Sequence, residues 1–101
     1  MSQLRFLAGG IAEVIGRLFA KLGNHRQVLC ITHLPQIAAY GHQHLRVSKH
    51  ANPPHTHVKI KKLDKTERVQ EVARLLGGLS LTEQTLAHAR EMLEAASKSL
   101  N

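Results

Sequence analysis

A histidine stands directly after a short apolar run near the middle of the sequence. Residues 30–41 read CITHLPQIAAYG, and His33 lies two residues beyond the run VLCI. A neutral imidazole at such a place can donate one hydrogen bond to a phosphate oxygen while a backbone group or a carboxylate holds its second ring nitrogen. The alternative is a histidine that only ends a strand, and the spacing alone favours that alternative.

The run before His33 predicts the element that would position it. Residues 28–31 are continuously apolar, which is typical of a central strand in a parallel sheet covered on both faces, so we predict a strand over 27–31. Ligands of open α/β sheets bind beyond the carboxyl ends of the strands, where His33 would lie. One strand cannot form a sheet, so its partners have to come from elsewhere. Cys30, the only cysteine, is predicted to be a small buried residue in a reducing cytosol.

The remaining pattern predicts helices. Apolar residues at helical spacing predict a helix over 9–23 with one buried face, in which Gly16 indicates close packing against a neighbour. A short helical turn follows near 34–39. A third helix is predicted over 65–78, and a last one after a capping box at Ser80 and Glu83. The apolar positions of the three long helices are Ile11, Val14, Ile15, Leu18, Phe19 and Leu22, then Val69, Val72, Ala73 and Leu76, then Leu86, Ala89, Leu93, Ala96 and Leu100.

Two alternating segments predict an antiparallel hairpin with a solvated basic face. HLRVSK and HVKIKKL flank HANPPHT, which is turn material because proline cannot continue a strand. Residues 42–68 hold seven Lys or Arg and two acidic residues, so 7 − 2 = +5 of the chain's net charge of +7 lies here. Arg46, Lys59 and Lys61 are candidate contacts to DNA phosphates, and a small basic nucleic-acid-binding module is the alternative function. A lysine face that protects an exposed sheet edge explains the pattern at least as well.

Length and composition bound the class of protein. The 101 residues form one domain at most. With 43% hydrophobic but only 3% aromatic residues, we predict an aliphatic core that packs against a larger protein body. Nothing approaches the ~20 apolar residues of a membrane span, so we predict a soluble cytoplasmic protein.

Two histidine pairs are candidate metal ligands. His42-x-His44 and His55-x-His57 could each face a metal from one side of a strand. No cysteine or carboxylate accompanies them, and we predict no metal site.

Residues 9–96 resemble the C-terminal end of the RecN family, bacterial repair ATPases related to SMC proteins. The resemblance lies in GGIAEVIGRLFAKLG, QVLCITHLPQIAAYGHQHLRVSK and KKLDKTERVQEVARLLGG, and Thr32-His33-Leu34-Pro35-Gln36 is its most specific element. It implies an α/β fold: the C-terminal lobe of a P-loop ABC/SMC-type ATPase head with an incomplete sheet. It also implies that His33 is the switch residue that contacts the γ-phosphate and the attacking water of ATP, with Thr32 and Gln36 as supports.

The resemblance further implies recombinational repair of DNA double-strand breaks, ATP and Mg²⁺ as ligands, a homodimer of heads, DNA as a partner, and a place at the nucleoid. The chain lacks a G-x-x-x-x-G-K-[ST] phosphate loop, an acidic pair at a strand end and a Ser-Gly-Gly signature loop, and LLGGLS at 75–80 only looks like one. We therefore expect the missing N-terminal part of the head as a partner, and neither ATP hydrolysis nor a bound cofactor for this chain alone. Residues 1–8 are expected to be non-homologous or disordered, so the lobe is assigned to 9–101.

Overall fold

The computed structural model describes residues 2–52, 54–77 and 80–99, and in these ranges the chain has an α/β architecture. The fold class predicted from the sequence is therefore confirmed at this level. In chain order the elements are α1 (Ser2–Gly23), α2 (Pro35–Ala38), β1 (Leu45–Asn52), β2 (His55–Lys62), α3 (Lys65–Gly77) and α4 (Glu83–Ser99). The division of the chain at residue 9 stays a prediction.

The two strands form the predicted antiparallel hairpin. Their register places Arg46 opposite Lys61 and Val47 opposite Ile60, and it continues to the pair of Asn52 and His55. The strands thus extend into the segment 50–56 that the sequence predicts to be turn, because residues there still pair across the ladder. Between the strands, Pro54 is a turn residue, where no ladder N–H is needed. Position 53 lies outside the described residues.

The segment 27–31 is not a strand in this structure, so the prediction of a core strand is wrong for the chain as it stands. The only sheet within the described residues is the hairpin, and 27–31 does not pair with it. A strand exists only through hydrogen bonds to a neighbouring strand. The apolar side chains of this segment therefore face solvent, with Leu29 78% and Ile31 94% exposed. Cys30 is also exposed, which contradicts the predicted burial.

The core lies between α3 and α4. Val72, Ala73 and Ala89 are fully buried there. Four partly buried residues of the two predicted stripes pack against them: Val69, Leu76, Leu86 and Leu93. The helical seams of both helices are thus confirmed, except for Leu100, which lies outside the described residues. Small side chains dominate this core, so the two helices approach closely while burying little apolar area.

Helices α3 and α4 begin at reciprocal side-chain caps. Asp64 accepts a hydrogen bond from the Glu67 N–H at 2.8 Å, and Glu67 accepts one from the Asp64 N–H at 3.1 Å. Thr82 and Thr85 exchange the same two bonds at 3.1 and 3.0 Å. The predicted box at Ser80 and Glu83 is therefore wrong by two residues. A cap has to stand directly before the first helical residue, and α4 begins at Glu83.

Candidate functional site

His33 is exposed at a bend between the extended segment 27–31 and helix α2. The local shape of this bend comes from its neighbours. The hydroxyl oxygen of Thr32 accepts a hydrogen bond from the Leu34 N–H at 3.0 Å. Pro35 then opens α2, where its fixed φ suits the first helical position. The imidazole therefore stands on a defined turn and is open to a ligand from outside the chain.

The predicted supports of His33 are placed around the same turn. The Thr32 side chain shapes the bend, and Gln36 is a part-buried residue of α2. The carbonyl oxygens of Leu34 and Pro35 accept the first helical hydrogen bonds of α2, at 2.9 to 3.1 Å. One turn thus brings Thr32, His33 and Gln36 together, and their contact with a nucleotide stays a prediction.

Helix α1 packs closely on α2 through Gly16, as the sequence predicts. A Cβ at Gly16 would lie 2.8 Å from the Cδ2 atom of Tyr40 and 3.2 Å from the Gln36 carbonyl oxygen. Ala12 and Ala20, one helical turn to either side, are buried as well. Any larger side chain at Gly16 would have to push α2 and its turn outward.

The buried face of α1 is therefore not the one that the sequence predicts. Five of the six large apolar residues of the predicted stripe are exposed, namely Ile11, Val14, Leu18, Phe19 and Leu22, and Ile15 is partly buried. The small residues of the opposite pattern, Ala12, Gly16 and Ala20, are the buried ones, because only they allow the backbone of α2 to approach. Neighbouring exposed apolar residues of this kind are a feature of interaction surfaces.

On the far side of α2, helix α3 contributes Arg68, which the sequence reasoning missed. The Nη2 atom of Arg68 donates hydrogen bonds to three carbonyl oxygens at the end of α2 and just beyond it. The distances are 3.1 Å to Ala38, 3.2 Å to Ala39 and 2.5 Å to Gly41. Burial lowers the pKa of Arg68 from its ordinary value. The available signal was its position four residues before buried Val72, on the apolar stripe of α3.

Arg68 belongs to a polar cluster that joins α3 to the start of the hairpin. Glu71 is buried and pairs with Arg74 at 2.5 Å and with Arg46 at 4.0 Å. The hydrogen bond from Arg74 lowers the pKa of Glu71. His44 lies in the same cluster, and its Nδ1 atom is buried without a hydrogen-bond partner in the described structure. Burial first, and then the positive charge of Arg68, lower the pKa of His44.

The stability of the chain should fall as the pH drops through the ordinary His44 pKa of 6.5. The unfolded chain binds a proton there, whereas folded His44, partly buried and near the charge of Arg68, does so only at lower pH. The nearby Glu71 charge opposes this effect only in part. We expect the unfolding midpoint in urea to decrease between pH 7.5 and 5.5. His44→Gln should remove this part of the decrease, while the exposed His88→Gln should not. Equal pH profiles for His44→Gln and the unsubstituted chain would contradict the assignment.

The three basic residues predicted to touch DNA share one face of the hairpin. Arg46 stands opposite Lys61, and Lys59 lies two residues further along on the same face. Arg46 pairs with Glu71, and the ammonium group of Lys61 contacts the Glu67 carboxylate. Both cations thus tie the hairpin to α3, and Lys59 is exposed. The hydrogen bond from Lys61 lowers the pKa of Glu67, so this link persists at neutral pH.

The other face of the hairpin is mainly apolar and lies in solvent, although the register also places Lys49 and Lys62 on it. Its four large residues, Leu45, Val47, Val58 and Ile60, are each exposed by 45% or more. The prediction of one solvated, lysine-bearing face is therefore incomplete, because no described element covers the second face. Within the described ranges no group of three or more His, Cys, Asp or Glu side chains is arranged to hold a metal.

Comparison with known sequences shows which proteins the chain is related to. No family model matches it. It is 50% identical over 90 residues to the DNA repair protein RecN of Vibrio cholerae, 46% over 88 residues to that of Haemophilus influenzae and 39% over 90 residues to that of Bacillus subtilis. The chain is homologous to RecN. The aligned residues make up 87–89% of the chain but only 16% of each RecN protein.

The resemblance to RecN predicted from the motifs is thereby confirmed, and the match corresponds to a C-terminal fragment of these proteins. The chain spans about one-sixth of the length of its RecN relatives. The segment LLGGLS, predicted to be only a superficial likeness of a signature loop, lies partly outside the described residues, since positions 78 and 79 are not described. Among the described helices, none combines the length and the apolar character that crossing a membrane needs.

Proposed function

We propose that the chain is the C-terminal lobe of a RecN-like, P-loop ABC/SMC-type ATPase head that acts in recombinational repair of DNA double-strand breaks. In this function His33 contacts the γ-phosphate of ATP and the attacking water. The observation that carries the proposal is the exposed His33 at the end of an apolar segment, 27–31, whose side chains lie uncovered in solvent. A segment of this composition becomes a central strand when neighbouring strands are supplied.

The residues of this chain would do one part of the reaction. The His33 imidazole would hydrogen-bond the terminal phosphate and orient the water, while Thr32 and Gln36 keep the turn in place. The phosphate loop, the acidic pair for Mg²⁺ and the signature loop are absent from this sequence, so these would come from the N-terminal part of the head. A homodimer of heads on DNA, at the nucleoid in the cytoplasm, belongs to the same proposal.

Turnover in a chimaera tests the proposal. In this protein, called the RecN chimaera below, the chain replaces the matching segment of the Vibrio cholerae relative, with which it shares 50% identity over 90 residues. We expect the chimaera to hydrolyse ATP in a manner that depends on His33. A chimaera without ATP turnover overturns the proposed function.

The alternative, a basic DNA-binding module, is less well supported. Of the three cations predicted to contact DNA phosphates, Arg46 and Lys61 already pair with carboxylates of α3. We expect the isolated chain to bind duplex DNA only weakly, with an affinity that collapses between 50 and 200 mM salt. Fluorescence anisotropy with a labelled duplex measures this. Lys59→Glu is the test variant and Lys98→Glu on α4 is the control of equal charge. Tight binding at 200 mM salt that only Lys59→Glu abolishes would establish the module instead.

A further inference from the structure

Helix α2 has only four residues, too few to be stable on its own. Its position must therefore be set by the elements packed around it. On one side α1 presents Gly16, at a separation that leaves no room for a Cβ. On the other side α3 presents Arg68. The short helix that follows His33 is thus held between two long ones.

Arg68 holds the end of α2 by a contact that few other side chains could make. Its guanidinium reaches the carbonyl oxygens of Ala38, Ala39 and Gly41, of which Ala38 also accepts a hydrogen bond from the Gly41 N–H at 3.2 Å. Because Arg68 is partly buried, any movement of α2 away from α3 would take these acceptors from a partly desolvated charge. All three contacts come from the single Nη2 atom of the rigid, planar guanidinium, and lysine keeps the charge but places its ammonium group on a more flexible stem.

The hydrogen bonds continue from α2 to His33. The N–H groups of Ile37 and Ala38 donate to the Leu34 carbonyl oxygen at 3.1 and 3.0 Å. The Leu34 N–H in turn donates to the Thr32 hydroxyl at 3.0 Å. Leu34 and Thr32 are the two neighbours of His33 in the chain, so the position of α2 determines where the backbone of His33 lies.

We infer that Arg68 is a positioning residue for ATP turnover, which acts by holding α2 and thereby the His33 turn. The inference rests on the proposed function, and it assigns Arg68 no contact with the nucleotide. Helix α3 also contacts the hairpin, because its residues Glu67 and Glu71 pair with Lys61 and Arg46. The same helix therefore links the hairpin to α2 and to the His33 turn.

The test is steady-state ATP hydrolysis by the RecN chimaera carrying Arg68→Lys. Because a misplacement of about 1 Å can cost about a hundredfold in rate, we expect a loss in kcat of that order with little change in the KM for ATP. Two matched controls accompany it. Arg74→Lys makes the same exchange six residues further along α3, at a side chain that pairs within its own helix, and should leave turnover unchanged. Val72→Ala weakens the α3–α4 core and reports how turnover responds to a general loss of stability.

A double variant separates positioning from a purely structural role. If Arg68 acts through His33, adding Arg68→Lys to His33→Ala should lower kcat no further, because residues that act as a unit are not additive. Multiplicative losses, or a loss in Val72→Ala as large as in Arg68→Lys, would overturn the inference. So would full turnover in Arg68→Lys when His33→Ala is inactive, and this result would leave the proposed function standing. Unchanged turnover in His33→Ala would overturn the proposed function itself, and the inference with it.

Discussion

Replacing His33 with alanine in the RecN chimaera should lower kcat for ATP hydrolysis by about a hundredfold to a thousandfold. Losses of this size are typical when a positioned hydrogen-bond donor to the transition state is removed. The KM for ATP should change by much less, because the phosphate loop and Mg²⁺ supplied by the rest of the head would hold the nucleotide in the ground state. A coupled assay for phosphate release, together with nucleotide binding measured by fluorescence, separates the two quantities.

The control for this substitution is His88→Ala. His88 is also an exposed histidine, but it lies on α4, away in sequence from the turn that carries Thr32 and Gln36. Its replacement should leave kcat unchanged, and the unfolding midpoints of the two variants should agree. If His33→Ala and His88→Ala hydrolyse ATP equally well, the exposed imidazole at the end of segment 27–31 has no part in the chemistry.

The second large effect is expected at Ile31. This side chain is 94% exposed in the chain alone, so Ile31→Asp should change the free energy of unfolding of the isolated chain by no more than about 0.5 kcal/mol. In an assembled head, Ile31 would lie in a central strand covered on both faces. There the substitution would lose the burial of an isoleucine, about 1.5–3 kcal/mol, and would add an unpaired buried charge. The affinity of the chain for a separately produced N-terminal part of the Vibrio cholerae relative should fall by about a hundredfold or more.

Co-purification and calorimetric titration of the two parts measure this affinity. Leu81→Asp is the matched control, since Leu81 is another exposed apolar residue, 48% exposed, outside the segment 27–31. It should leave assembly intact. Assembly that is equally strong with Ile31→Asp would show that segment 27–31 is a surface loop in the complete head, and the argument for His33 as a strand-end residue would fail with it.

The local elements of this chain could be predicted from its sequence because their signals are local. Alternating Leu45, Val47, Val58 and Ile60 predicted the hairpin, and a glycine inside an amphipathic helix predicted close packing at Gly16. Helical spacing predicted α3 and α4 and the residues that meet between them. These features depend on side-chain periodicity and backbone preference, which each segment carries by itself.

Features that depend on a neighbour were predicted less well. The sequence indicated the large apolar stripe of α1 as its buried face, yet the small residues around Gly16 are buried, because the partner within the chain is a tightly packed turn. It indicated burial for Cys30, which is exposed because no second strand lies beside it. Each of these errors followed from assuming a neighbour that the chain does not contain, or from overlooking one that it does.

By itself the sequence determined the α/β class and the relationship to RecN, and it singled out His33 as the candidate for the proposed chemistry. Periodicity and motif order suffice for these, since both are properties of neighbouring positions. Only the tertiary structure decided how the His33 turn is held. Arg68 stands 35 positions after His33 in the sequence. The residues next to Arg68 in the sequence do not predict which carbonyl oxygens it contacts. The docking of α3 against α2 decides that, because a partly buried guanidinium needs hydrogen-bond acceptors and this contact supplies three carbonyl oxygens.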